Sequence, residues 1–168
     1  RAAGCDRIEP VLRKPRHDTR SCGAGKHAGA GIYADAFKQE NSSGGERYPL
    51  VKNAITNSIE KGTLVFDYFG HGGEDGLAAE RVLEIPQIQD FNNNFLPPFI
   101  TVTCEFSRFD NPLRDTAGEQ LFLNPNGGSV SMITTTRDIF ISLGEAFNKE
   151  LTTYVLDFDN SDDAISTN

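Results

Sequence analysis

The stretch TLVFDYFGHGG (63–73) decides how this chain is read. Residues 64–69 are apolar apart from Asp67, the composition of a strand covered on both faces of a parallel sheet. The run ends at Gly70, and His71 follows, flanked by glycines. A second stretch, FITVTCEFSR (99–108), repeats the arrangement with Cys104 at the end of its apolar run. Roughly two dozen residues lie between the two runs, more than the dozen or so that a parallel crossover needs.

The elements around this pair follow from spacing and turn chemistry. Pro49 opens PLVKNAITNSIEKG, in which Val51, Ala54, Ile55 and Ile59 recur at helical spacing and Gly62 supplies the stop. The spacing therefore predicts a helix of about three turns ahead of the first strand. Residues 31–37 read as a short strand-like run, and 38–48 as a polar turn. Short helices are expected over 77–83 and 88–91. Thr116 and Glu119 have the form of a capping box, so a helix through Leu121 and Phe122 is expected. SVSMITTT (129–136) is rich in β-branched residues and reads as a third strand. Residues 138–158 read as a long amphipathic helix with Ile139, Leu143, Phe147, Leu151, Tyr154 and Val155 on one side. The order βαβαβα predicts an α/β layered fold with a mostly parallel sheet flanked by helices.

In such a sheet successive strands point the same way, and ligands bind at the edge formed by their C-terminal ends. His71 and Cys104 both leave strands at that edge. Neighbouring strands lie about 4.8 Å apart, so the two side chains come within reach even with one strand between them. A thiolate is a nucleophile, and a nearby imidazole can lower the thiol pKa or take its proton. The N–H groups of Gly72 and Cys104 are candidates for an oxyanion hole. Other readings stay open on the residues alone. A cysteine at a strand end is more often a small buried hydrophobe, and a histidine in a glycine-rich turn can simply fill the turn. GHGGEDG lacks the Lys-Ser/Thr of a P-loop. HGG after a strand also suits an α/β-hydrolase, but no G-x-S-x-G elbow occurs. His71, Glu74 and Asp75 form only a weak metal pattern.

The chain has 168 residues, enough for one domain with a core, and a formal net charge of −8. The charge is uneven. Residues 1–30 hold seven Lys/Arg against three Asp/Glu, and the rest hold nine against twenty-one. An acidic main body argues against a nucleic-acid surface. Cys5, Cys22 and Cys104 form no CxxC and no zinc spacing. Residues 1–30 show no helical or alternating period. They can be read as a basic arm, a Cys/His cluster or a disordered tail, and a reading-frame artefact is the favoured account. No function is placed there.

Longer strings carry a resemblance. IYADAFKQE, GGERYP, GTLVFDYFGHGGEDGLAAERVLEIPQIQDF, TVTCEFSRFDNPLRDTAGE and GGSVSMITTTR resemble the gingipain-type cysteine peptidases of the caspase-like clan. They are most similar to the PorU-type sortases of the type IX secretion system in Bacteroidetes. The resemblance runs from about residue 32 to 158. It implies a caspase-like catalytic domain over 31–168, incomplete and corresponding to its second half, behind a non-family leader over 1–30. An acidic partner orienting His71 from an earlier strand then lies outside the chain. It implies a cysteine-type endopeptidase with His71 as general base and acid, Cys104 as nucleophile, and Gly72 with Cys104 as the oxyanion hole. Glu105, Arg108, Asp110 and Arg137, with the TTTR segment (134–137), are placed as substrate-binding residues at the same edge. The implied substrate is the C-terminal signal domain of secreted cargo. The implied partners are other outer-membrane secretion components and lipopolysaccharide, and the implied location is the outer-membrane surface of a Gram-negative bacterium. No cofactor and no metal are implied. A plain endopeptidase and a non-catalytic scaffold are the alternatives.

Overall fold

The computed structural model describes residues 7–12, 31–43 and 45–155. The strands in chain order are β1 (Arg7–Leu12), β2 (Ile32–Tyr33), β3 (Glu40–Ser42), β4 (Gly45–Arg47), β5 (Thr63–Phe69), β6 (Gly72–Gly73), β7 (Gly76–Leu77), β8 (Leu83–Glu84), β9 (Pro98–Val102) and β10 (Ser131–Thr134). The α-helices are α1 (Pro49–Gly62), α2 (Ile85–Gln89), α3 (Ala117–Phe122) and α4 (Ile141–Val155). Among the described residues the main sheet has five strands in the order β10-β9-β5-β1-β2. β9 pairs in parallel with both β5 and β10, whereas β1 runs antiparallel to β5 and to β2. The expected α/β class holds, with one reversed strand in a mostly parallel sheet.

Side-chain alternation along β5 and β9 builds the two covered faces. Phe66, Tyr68 and Phe99 join Val51, Ile55 and Ile59 of α1, Ile88 of α2 and Leu121 of α3 in the larger core. The Phe66 and Phe99 rings stack at 4.4 Å across the β5–β9 pair. On the opposite face Val65, Ile100 and Val102 pack with Phe69, Ile139, Leu151 and Val155. Helix α1 buries Val51, Ile55 and Ile59, one residue every fourth position, as the spacing predicts. It ends at Gly62, whose φ of +101° is a conformation that glycine adopts without a Cβ penalty.

Three expectations are corrected. The 77–83 segment is not a helix. Leu77 pairs with Gly72 and with Leu83 in a three-stranded sheet β6-β7-β8, and Ala78 and Arg81 adopt positive φ, which interrupts any helix. The second short helix begins three residues earlier than expected, at Ile85, with Pro86 in its first turn. Within 1–30, Arg7–Leu12 is a strand, although the segment shows no alternation. Among the described residues β2 pairs only with Arg7 and Ile8, so Pro10 has a described ladder partner on one side only. Cys5, Cys22 and the rest of 1–30 lie outside the described residues.

Helix α4 starts at Ile141, three residues later than expected, and its apolar residues divide. Leu151 and Val155 pack on the sheet, but Leu143, Phe147 and Tyr154 are exposed. Residues 156–158 lie outside the described residues. Among the described residues no helix is long and apolar enough to cross a membrane.

Candidate active site

Register places the two key side chains. β5 and β9 are immediate neighbours, with Phe69 opposite Val102, and the Gly70 N–H donates to the Val102 carbonyl at 3.4 Å. His71 lies two residues beyond Phe69, and Cys104 lies two beyond Val102. Equal overhangs on adjacent parallel strands bring both residues to one level at one edge. The two also share a face. Val65, Phe69, Ile100 and Val102 belong to the α4 side, and the cleft lined by Phe69 and Val102 on that side also includes His71 and Cys104.

His71 and Cys104 accordingly line one cleft of about 710 Å³. Phe69, Gly70 and Val102 form its sheet wall, and Ile139, Phe140, Ile141, Ser142 and Glu145, at the start of α4, form the other. The cleft is mostly apolar, with Glu145 as an acidic group in its lining. Cys104 is a free, half-buried thiol, and His71 is exposed. The contribution of 139–145 to the cleft was missed from sequence. Its apolar residues read as a packing stripe, and nothing local to them signals a site.

The backbone after each strand is built differently. After His71 the chain enters β6. The Ala78 N–H donates to the His71 carbonyl at 2.7 Å, so Gly72 and Leu77 form a non-hydrogen-bonded antiparallel pair and the Gly72 N–H turns away from β7. The Tyr68 hydroxyl also donates to the His71 carbonyl, at 2.6 Å. Gly72 rests against Thr103: a Cβ there would lie 2.4 Å from Thr103 Oγ1. After Cys104 the chain turns sharply at Glu105, whose φ is +50°. That conformation is unusual for a residue with a side chain and clusters at functional sites.

The charged residues near the site form ion pairs with one another, and none of the four placed as substrate-binding is in the cleft lining. Arg108 meets Glu105 at 2.9 Å and Glu74 at 3.4 Å. Arg137 holds Asp110 with both terminal nitrogens, at 2.9 and 2.5 Å. The Arg137 bond keeps the Asp110 carboxyl below its ordinary value, and the same bond raises Arg137. Glu74 also receives Arg114 at 3.5 Å and two bonds from Asn111 Nδ2 at 3.0 Å. Arg114 additionally contacts Asp75, whose bond raises the guanidinium pKa. Glu74 and Asp75 are thus engaged with arginines. Among the described residues no group of three or more His, Cys, Asp or Glu is placed to hold a metal ion.

A parallel sheet whose C-terminal edge brings a thiol and an imidazole into the lining of one cleft belongs to the α/β class that can carry thiol chemistry. The chain belongs to peptidase family C25, the gingipain family of cysteine peptidases, whose model matches residues 26–166. Comparison with curated proteins and with solved structures gave no match.

Proposed function

We propose that Cys104 and His71 are a catalytic dyad, and that residues 31–168 are part of the catalytic domain of a PorU-type sortase. The observation that carries the dyad is the equal two-residue overhang of His71 and Cys104 beyond the paired Phe69 and Val102. Their shared cleft supports it. The sortase assignment is supported by the strings around GTLVFDYFGHGGEDG, TVTCEFSRFDNPLRD and GGSVSMITTTR.

In this mechanism the Cys104 thiolate attacks the carbonyl carbon ahead of the cargo's C-terminal signal domain. The N–H groups of Gly72 and Cys104 receive the oxyanion. The tetrahedral intermediate collapses, the C–N bond breaks, and the His71 imidazolium gives its proton to the leaving amine. A thioester remains on Cys104. Water, or an amine on a cell-surface glycolipid such as lipopolysaccharide, attacks it and passes a proton to His71, which restores the thiolate pair. The ion-paired rim of Glu105, Arg108, Asp110 and Arg137 borders the flanking residues of the substrate. The enzyme works at the outer-membrane surface beside other secretion components.

The test is Cys104→Ala in the full-length parent. Cleavage of cargo is expected to fall by at least about a thousandfold, with folding retained, and cargo is expected to keep its signal domain. Unchanged maturation of cargo would remove the catalytic assignment. Mass analysis of the product made by the active enzyme then separates transfer, which leaves a conjugated C-terminus, from hydrolysis, which leaves a free one.

A further inference from the structure

The TTTR segment (134–137) starts at the last residue of β10 and runs beside the turn that carries Cys104. Three bonds join them. The Thr135 hydroxyl donates to the Thr103 carbonyl, on the residue just before Cys104. The Glu105 N–H, just after Cys104, donates to the Arg137 carbonyl at 3.4 Å. The Ser107 N–H donates to the Thr135 carbonyl at 3.2 Å. Cys104 is therefore bracketed on both sides by one strap, and Thr135 supplies a bond from its side chain and another from its backbone. The far end of the strap is fixed by the Arg137–Asp110 pair.

The turn needs such a brace. Glu105 sits at positive φ, a conformation that persists only where its surroundings impose it. Thr103 is fully buried and fills the space beside Gly72, so a shift of Thr103 moves the His71 loop and Cys104 relative to each other.

We infer that Thr135 is a positioning residue for Cys104: its hydroxyl holds the Thr103 carbonyl and thereby sets the aim of the thiol. This rests on the peptidase reading above. It acts on orientation rather than on substrate binding, so it belongs to kcat more than to KM.

The test compares Thr135→Val, Thr135→Ala and Thr135→Ser in the full-length enzyme, with a cargo protein carrying its C-terminal signal domain as the substrate and thermal unfolding alongside. Val and Ala lack the hydroxyl, and each is expected to lower kcat about tenfold with KM within about twofold. Ser keeps the hydroxyl and is expected to retain most of kcat. If Val fails to fold, Ala carries the comparison, since it only removes atoms. Wild-type kcat in the folded variants lacking the hydroxyl would overturn the proposal. So would a Ser variant as slow as Ala, which would assign the effect to the methyl group. Cargo cleavage surviving in Cys104→Ala would instead sink the peptidase reading itself. A dead Cys104→Ala beside a fully active Thr135→Ala sinks the strap alone.

Discussion

At the scale of single residues, the contact between Gly72 and Thr103 ties the two halves of the site together. A methyl group on Gly72 would meet Thr103 Oγ1 at 2.4 Å and the Gly76 carbonyl at 3.1 Å. Thr103 is fully buried and has no open side to turn toward. Gly72→Ala is therefore expected to cost about 1–3 kcal/mol by overpacking, read as a lower midpoint in urea unfolding. An unchanged midpoint would mean that the two loops do not bear on each other. The placement of His71 and Cys104 at one edge was legible in the sequence because each closes a long apolar run, and an apolar run that ends in a chemically able residue is a local signal. The Thr103–Gly72 contact left no such signal. It depends on which strand neighbours which, and two threonines in FITVTCEF look alike until the register is known.

At the scale of elements, local chemistry separates what was readable from what was not. The capping box of α3 is present in full: the Glu119 N–H donates to Thr116 Oγ1 at 3.4 Å, and the Thr116 N–H donates to Glu119 Oε2 at 2.9 Å. The next amide, Ala117 N–H, is taken by the Glu74 carbonyl at 2.7 Å, so the helix start also anchors the glycine-rich loop. Thr116→Ala is expected to destabilise by about 1–2 kcal/mol, measured by chemical denaturation. Thr116→Ser should recover most of that, because it keeps the capping oxygen. Helix α1 was equally legible, since its stripe and its Pro and Gly ends all lie within one stretch. The β6-β7-β8 sheet was not. Leu77, Ala78, Val82 and Leu83 are all buried, and their spacing suits a helix as well as a folded-back pair of short strands. Pairing of Leu77 with Gly72 decided the matter, and that pairing is not local. β1 was hidden for another reason: Pro10 in a run without alternation argues against a strand, unless the strand is paired on one side only there, as this one is among the described residues.

At the scale of the whole molecule, the acidic charge is not spread idly over the surface. Glu74, in the loop after His71, gathers Arg108, Asn111 and Arg114 from the loop after Cys104. Its carboxylate is only 15% exposed, so these bonds are worth more than ordinary surface pairs. Glu74→Ala is expected to lower stability by about 2 kcal/mol in guanidinium unfolding. A loss below about 0.5 kcal/mol would show that the network behaves as an exposed one. The general class of fold was legible because periodicity and turn residues report on layers. The second wall of the cleft was not legible, because residues 139–145 look like any packing stripe and nothing local to them marks the cleft they line.

Nearest-neighbour pairing of β5 with β9 also bears on how the chain can change length. The segment between them, 70–97, crosses the molecule and returns, so residues added at its exposed turns leave the strand pairing untouched. The short overhangs have no such freedom. One residue inserted between Phe69 and His71, or between Val102 and Cys104, would carry a side chain about 3.3 Å along the strand and turn it to the opposite face of the sheet. For this fold, then, the number of residues at two strand tips is fixed by where the thiol and imidazole must stand, while the length of the crossover between them is not.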